Sequence, residues 1–156
     1  MNEGMGLSAS GVAFIARHEG FRAHVYRDAA GNPTIGYGHL LREGEGFRDG
    51  IFEGAARELL RRDASGAESA IRNDVATALN QHQFDALVSF TFNVGAGAFL
   101  RSTLLAKLND GEFAAAADQF PRWNKVRIEG VLTTNPGLTR RREDERRLFR
   151  DGDYGF

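Results

Sequence analysis

A short segment with strand-forming composition lies between stretches whose apolar residues follow helical spacing. Two β-prone runs, 24–28 and 34–38, flank a cluster of turn residues at 29–33, which predicts a β-hairpin. From Glu53 onward the spacing is helical. We therefore predict an α+β fold, with a small N-terminal β-hairpin lobe, a larger helical C-terminal lobe and a cleft between them.

Capping residues and glycines divide the rest of the chain into elements. Ser8 and Ser10 precede an apolar cluster and predict a first helix that ends near Gly20. Glycines at 36 and 38 predict bulges or close approach by another group. We expect residues 42–50 to form a loop or a third short strand, and residues 125–136 to form a loop. The further helices are predicted at 53 to about 73, from Asn80 or Gln81 to Gly95 and Gly97, from Ser102 to 109–111, at 112–120 ending at Pro121, and at 138–149.

Length and composition exclude several classes of protein. The 156 residues fit one domain, 1–156, with a substantial core, and the absence of cysteine excludes disulfides, thiolate chemistry and the usual cysteine-containing zinc sites. A net charge of −1 argues against a nucleic-acid binder. No run reaches the roughly 18 apolar residues of a membrane span, and we recognise no signal peptide. Most of the charged residues in the stretch 140–150 are interpreted as a solvated helix face with i,i+4 pairs.

Two carboxylates, Glu19 and Asp28, flank the predicted hairpin. Glycoside hydrolysis uses such a pair, with one group protonated as the acid and the other ionised. Most pairs of this kind near a turn are solvated and structural, so the pair alone leaves both readings open.

The pattern around the pair is more specific. Residues 18–21, 26–28 and 31–39 together resemble the catalytic segment of phage-type lysozymes, glycoside hydrolase family 24. That family shows Glu, eight residues, Asp, five residues, Thr, and Glu19, Asp28 and Thr34 match both spacings. The resemblance covers nearly the whole chain, because four more blocks follow in the family's order: 83–95 (a central buried helix), 99–111, 122–125 and 137–145.

The resemblance implies a lysozyme-like fold and a role for each matched residue. Glu19 would be the general acid, Asp28 the carboxylate that holds water and stabilises the cationic sugar, and Thr34 the hydroxyl that positions that water. Arg141 resembles an arginine that pairs with the catalytic glutamate. His39 resembles a histidine that pairs with an aspartate, here Asp63. The substrate-binding candidates are His39, Phe92, Asn93, Ser102, Arg122 and Arg141.

Several of these residues also have a simpler interpretation. His39 is equally well a surface histidine, and Phe92 is equally well a core aromatic. Arg122 reaches either the glycan or only the solvent. Trp123, the single tryptophan, could stack on sugar but fits the core better.

The activity implied is that of a muramidase. It would hydrolyse the β-1,4 bond between N-acetylmuramic acid and N-acetylglucosamine in the glycan strands of peptidoglycan, with inversion, as a monomer and without metal or cofactor. The implied role is that of a phage or prophage endolysin, which folds in the host cytoplasm and reaches the periplasm and cell wall through a holin lesion.

Two departures from the family pattern leave rival functions open. The stretch 126–135 is longer than usual and could alter access or peptide-stem specificity, and the chain lacks the basic charge of many members. The first alternative is a catalytically weak lysozyme-fold domain that binds or scaffolds peptidoglycan. The others are a lysozyme domain cut from a larger protein and a transglycosylase that uses Glu19 without water.

Overall fold

The computed structural model describes residues 1–156. It divides the chain into two compact units: the β unit, residues 12–65, and the helical unit, residues 1–11 together with 66–156. Small antiparallel sheets and a majority of helix confirm the predicted α+β class. No helix combines the length and the apolar character that crossing a bilayer requires.

The β unit contains the predicted hairpin. Its elements are most of helix α1 (Ala9–Glu19), strands β1 (Arg22–Arg27), β2 (Pro33–Gly36) and β3 (His39–Leu40), and helix α2 (Glu53–Asp63). The strands form one antiparallel sheet in the order β1-β2-β3. Thr34 lies opposite Tyr26, and Ile35 lies opposite His39. The third strand is complete by Leu40, so residues 42–50 form a loop.

Glycine allows α2 to pack tightly against the sheet. A Cβ atom on Gly36 would lie 3.1 Å from Cβ of Ala56, and Gly36 also has a positive φ of 68°. Ile35, Ala56 and Leu60 are all buried at this contact between strand and helix. The predicted close approach at Gly36 is therefore confirmed.

The single helix expected over 53–73 is instead two helices. Helix α2 ends at Asp63, the fully buried Ala64 follows it, and helix α3 (Ser65–Asp74) begins at the next residue. The sequence Ser65-Gly66 has low helix propensity, which favours a break at this point. The apolar residues have the same spacing in both helices, so periodicity alone did not reveal the break between them.

The helical unit holds the remaining elements. They are α3, α4 (Gln81–Val94), α5 (Ala96–Leu100), α6 (Thr103–Asn109), α7 (Phe113–Ala117), a 3-10 turn (Phe120–Arg122), β4 (Lys125–Ile128), β5 (Val131–Thr134) and α8 (Pro136–Asp151). The start predicted for α4 is confirmed by a capping box, in which the Asn80 and Gln83 side chains each accept from the other's backbone N–H, at 2.9 and 3.0 Å.

Two helix ends differ from the prediction. Gly95, with φ of 95°, does end α4, but Gly97 lies inside α5. The helix expected at 112–120 is only the five-residue α7, and Pro121 lies within the 3-10 turn. Proline suits the first turn of such an element because its missing N–H is unpaired there anyway.

The prediction of a loop at 125–136 is wrong, because β4 and β5 form a two-stranded antiparallel hairpin there. Ile128 pairs with Val131 across a two-residue turn, where Glu129 and Gly130 have φ of 51° and 81°. Two successive positive φ values match the twist of flanking strands. The β-branched residues on both sides of the turn were the signal that the prediction overlooked.

Helix α4 forms the centre of the helical unit. Every residue from Phe84 to Thr91 is buried, which confirms the central buried helix implied by the family resemblance. Phe90 makes edge-to-face contacts with Phe120 and Trp123, each with ring centroids 5.4 Å apart. Apolar burial of this extent is the main stabilising contribution to the unit.

Asp85 on α4 attaches both ends of the chain to this helix. Its carboxylate accepts hydrogen bonds from the Ser8 hydroxyl, from the Ser8 N–H at 3.2 Å and from the Tyr154 hydroxyl at 2.7 Å. Gln81 Nε2 donates from the previous turn at 2.9 Å. Burial and the adjacent Asp85 carboxylate raise the pKa of Tyr154 to about 12. Asp85 is itself fully buried, so these donors replace its lost hydration.

Replacing Asp85 with alanine should lower the free energy of unfolding by about 3 kcal/mol, because several buried donors lose their acceptor. Urea denaturation measures the change. The matched control is Asp110→Ala, since Asp110 is exposed at the end of α6 and its side chain accepts no hydrogen bond. We expect the control to stay within about 0.5 kcal/mol of the wild type. Equal losses in the two variants would contradict this role of Asp85.

Candidate active site

Glu19 is the last residue of α1. Ser8 caps the start of this helix by accepting from the N–H of Gly11 at 2.9 Å, and Gly20, with φ of 75°, ends it. The Glu19 side chain is half-buried. A Cβ atom on Gly38 would lie 3.4 Å from Glu19 Oε2. The second predicted close approach is thus confirmed, and the turn between β2 and β3 leaves room for the Glu19 carboxylate.

Asp28 follows β1 directly and organises the turn of the hairpin. Its Oδ1 accepts from the N–H of Ala30 at 3.0 Å and from the N–H of Asn32 at 2.8 Å. The backbone of Asp28 adds bonds to Asn32 and Gly31, at 3.0 and 2.9 Å. These bonds fix the orientation of the carboxylate, while Oδ2 makes no hydrogen bond within the protein.

Thr34 lies on β2, with only 2% of its surface exposed. Its Oγ1 donates to the carbonyl oxygen of Asn32 at 2.8 Å, so the oxygen keeps its lone pairs for an incoming donor. Asn32 thereby contacts both Asp28 and Thr34. The β unit therefore holds all three predicted catalytic residues on short, hydrogen-bonded elements.

His39 on β3 is buried, with 4% of its surface exposed, so it is not a surface histidine. Its Nδ1 lies 2.8 Å from Asp63 Oδ2, which confirms the predicted pairing, and its Nε2 lies 3.0 Å from Glu45 Oε1. Both ring nitrogens face carboxylates, and only a doubly protonated ring donates to both. A role for His39 in binding substrate stays a prediction.

The candidates at the end of α4 and the start of α6 have different environments. Phe92 is half-buried and Asn93 is exposed. Asn93 Oδ1 accepts from Arg142 Nη2. Ser102 is buried, and its hydroxyl donates to the carbonyl of Phe99 at 2.6 Å and accepts from the N–H of Leu105 at 3.1 Å. Ser102 therefore caps α6, and its contact with substrate stays a prediction.

Arg141 lies in a buried ionic network on α8. Glu145 is fully buried and accepts from Arg141 Nε at 3.2 Å, from Arg142 Nη1 at 2.6 Å and from the Ser89 hydroxyl at 2.6 Å. Arg141 Nη2 also donates to the carbonyl oxygen of Ser89 at 3.2 Å. The interpretation of 140–150 as a solvated face is wrong for Arg141, Arg142 and Glu145. Charge spacing reveals i,i+3 and i,i+4 pairs but not which side faces the core.

Arg122 and Trp123 follow the 3-10 turn. Arg122 is exposed and makes no ion pair, whereas Trp123 is half-buried against Phe90. The core interpretation of Trp123 is therefore correct for the part of its ring that faces Phe90. The pairing of Arg141 with Glu19 stays a prediction, as does the contact of Arg122 with glycan.

Glu45 and Glu145 contact the predicted site residues His39 and Arg141, although the sequence pattern predicted no role for either. Glu145 stands three and four positions after two arginines, a spacing that was visible in the sequence. Glu45 carries no such signal, because its contact with His39 depends on how the 42–50 loop folds back. No three histidine, aspartate or glutamate side chains come together as a metal-binding group.

His39 should make the protein more stable in mild acid than at alkaline pH. Burial lowers the pKa of His39, but the hydrogen bonds and charges of Asp63 and Glu45 outweigh burial and raise it overall. The Arg42 N–H and His39 hold the pKa of Glu45 below its usual range. The stabilisation is complete below the unfolded-state pKa of about 6.5 and disappears as the pH rises through the higher folded-state pKa of His39.

We expect His39→Asn to lose more unfolding free energy at about pH 5.5 than at about pH 8.5. Urea denaturation at both pH values checks this. His24→Asn is the control, because His24 is exposed and makes no ion pair. A loss that is independent of pH would show that His39 acts by packing alone.

Comparison with known proteins identifies the family. The phage lysozyme family model matches residues 16–145. An endolysin of Acyrthosiphon pisum secondary endosymbiont phage 1 is 39% identical over 145 residues, which cover 93% of this chain and 98% of that protein. The endolysin structure from Escherichia coli O157:H7 phage FAHEc1 superimposes with a TM-score of 0.92 at 34% identity, over 98% of each chain.

A crystal structure of a P22 lysozyme mutant is also similar, with a TM-score of 0.79 and 37% identity over 93% of this chain and 98% of that one. The family match and these relatives agree with the predicted fold. The chain therefore belongs to the phage lysozyme family, glycoside hydrolases that degrade peptidoglycan.

Proposed function

We propose that this protein is an inverting muramidase, acting on the β-1,4 bond between N-acetylmuramic acid and N-acetylglucosamine. Glu19 is the general acid, Asp28 the carboxylate that activates water, and Thr34 the hydroxyl that positions it. The observation that carries the proposal is the hairpin turn, where Asn32 contacts both Asp28 and Thr34 through hydrogen bonds.

The chemistry follows from the properties of these groups. Glu19 protonates the oxygen of the leaving sugar, and the anomeric carbon gains oxocarbenium character. Asp28 Oδ2, which has no partner within the protein, accepts a proton from the attacking water and stabilises the cationic sugar. Thr34 Oγ1 accepts from the same water, because its own proton is already donated to Asn32. A separate group for water fits direct attack and therefore inversion.

Replacing Glu19 with glutamine should reduce kcat by about a hundredfold or more, because the amide cannot donate the proton that the leaving oxygen needs. The measurement is clearing of purified Gram-negative peptidoglycan, with thermal unfolding as a check on folding. Glu43→Gln is the matched control, since Glu43 is exposed in the 42–50 loop of the same unit. It should retain wild-type activity. If neither the wild type nor Glu19→Gln clears peptidoglycan while both bind it, the protein is a scaffold or binding domain.

The stereochemistry of the product tests the roles of Asp28 and Thr34. Direct attack by water on a β-linked sugar releases the α-anomer first, which proton NMR detects before mutarotation. The β-anomer would instead indicate a covalent intermediate with Asp28. Anhydro-muramic ends in the mass spectrum would indicate a transglycosylase. Thr34→Ser should keep inversion, because the serine hydroxyl still accepts from water.

We also propose that residues 1–156 act as one monomeric muramidase domain, without cofactor and without a nucleic-acid partner. The balanced charge supports the last point, because nucleic-acid binders concentrate unbalanced positive charge. As an endolysin, the protein would fold in the host cytoplasm and reach the wall after a holin opens the membrane. Lysis of cells that co-express a holin, compared with cells that lack one, tests this order of events.

A further inference from the structure

The turn at residues 28–32, which follows β1, is closed by hydrogen bonds among its own residues. The N–H of Asp28 donates to the carbonyl oxygen of Asn32 at 3.0 Å, and the N–H of Gly31 donates to the carbonyl oxygen of Asp28 at 2.9 Å. The Asp28 carboxylate accepts from the N–H groups of Ala30 and Asn32. The carbonyl oxygen of Gly31 takes part in none of these bonds and is used instead by a side chain of the adjoining strand.

Arg27, the last residue of β1, reaches over the turn to this oxygen. Its Nη1 donates to the carbonyl oxygen of Gly31 at 2.8 Å. Arg27 is exposed and makes no ion pair, so no carboxylate competes for its guanidinium. A hydrogen bond from a charged donor is roughly twice as strong as one between neutral groups. The charge of Arg27 is thus directed at one backbone oxygen of the turn.

The strand pairing explains why the end of the hairpin needs this side chain. Arg27 lies opposite Pro33 in the register of β1 and β2. Proline has no backbone N–H, so Pro33 cannot donate a cross-strand hydrogen bond to β1. The Arg27 guanidinium supplies an additional bond between the end of the strand and the turn.

The oxygen that Arg27 holds and the N–H that holds Asp28 belong to the same peptide unit. The carbonyl group of Gly31 and the N–H of Asn32 lie on opposite sides of one planar, trans peptide bond. Arg27 bonds to one side of this peptide at 2.8 Å, and Asp28 Oδ1 accepts from its other side, also at 2.8 Å. Rotation of the peptide therefore breaks both bonds together. Polarisation along such a chain also strengthens each hydrogen bond.

The residues at this point would allow the peptide to turn over. Gly31 has a positive φ of 86°, and a Cβ atom there would meet nothing within 4 Å. Glycine accepts almost any backbone angle, and asparagine is among the few other residues that accept a positive φ. A half-turn of the peptide would point the Gly31 carbonyl oxygen at the Asp28 carboxylate with little backbone strain. The bond to Arg27 opposes that rotation.

We propose that Arg27 is a positioning residue for the hydrolytic reaction. By holding the peptide between Gly31 and Asn32, it keeps the Asn32 N–H on Asp28 Oδ1 and leaves Oδ2 directed at the attacking water. Arg27 forms no ion pair with Asp28 and acts only through this peptide. The proposal rests on the proposed function, since it concerns the carboxylate that activates water there.

The first test measures the hydrogen bond itself. Arg27→Met keeps an unbranched side chain without a donor, and hydrogen exchange followed by NMR reports on the Asn32 amide. We expect this amide to exchange about tenfold faster than in the wild type, because a charge-assisted bond that opposes opening is lost. The Ile51 amide, which donates to the carbonyl oxygen of Ala23 at 2.8 Å in the same unit, should exchange at an unchanged rate. Equal acceleration at both amides, or none at Asn32, overturns the proposal.

The second test separates positioning from substrate binding. On soluble glycan strands of peptidoglycan, Arg27→Met should lower kcat about tenfold and leave KM within about twofold of the wild type. A misdirected carboxylate impairs the chemical step, whereas a lost contact with glycan would mainly raise KM. Arg48→Met is the matched control and should keep both constants, because Arg48 is an exposed arginine of the 42–50 loop without an ion pair. An unchanged kcat in Arg27→Met, or an effect confined to KM, would reject this role.

The two tests separate this proposal from the proposed function. If the wild type does not cleave glycan strands, the muramidase proposal fails, and hydrogen exchange at Asn32 still decides whether Arg27 holds the peptide. If the wild type cleaves them and Arg27→Met does so with the same kcat, the muramidase proposal stands and the positioning role of Arg27 is overturned.

Discussion

The helical unit depends on the burial of α4, because this helix carries polar groups into the apolar core. Asp85 and Ser89 are both fully buried. A buried polar side chain needs hydrogen-bond partners, and groups from distant parts of the chain supply them to both residues. Asp85 accepts hydrogen bonds from Ser8 in the first segment of the chain and from Tyr154 in the last. Ser89 is hydrogen-bonded to α8, because its hydroxyl donates to Glu145 and its carbonyl oxygen accepts from Arg141. One helix therefore determines where both chain ends and the final helix lie.

The same polar groups restrict what the last helix can present. Glu145 forms ion pairs with both Arg141 and Arg142, and the Arg142 guanidinium also lies 5.1 Å from the centre of the Phe90 ring. The charged groups of Arg141, Arg142 and Glu145, which the sequence suggests are on the surface, are therefore buried and stabilise the packing of α8. Arg122, Lys125 and Arg127, which lie in or just before the β4–β5 hairpin, are among the exposed cations without an acidic partner. Burial thus decides which charges are available to a ligand.

In the β unit, turn chemistry places the catalytic candidates. Asp28 is held by backbone donors of the turn that it starts, and Gly38 leaves space beside Glu19 because it has no side chain. These are local interactions between residues close in sequence or on neighbouring strands. That locality is why the spacing of Glu19, Asp28 and Thr34 was recognisable in the sequence, and why the hairpin, its glycines and the catalytic candidates were predicted together.

Predictions failed where an outcome depended on contacts between distant segments. The sequence by itself determined the α+β class, the capped helices, the hairpin and the pairing of His39 with Asp63, since short-range patterns and family spacing encode them. Only the tertiary structure decided that α8 buries its arginines against Ser89, that Glu45 folds back onto His39, and that residues 125–134 form a strand pair. Burial and long-range packing settle these features, and linear spacing does not record which side of an element meets the core.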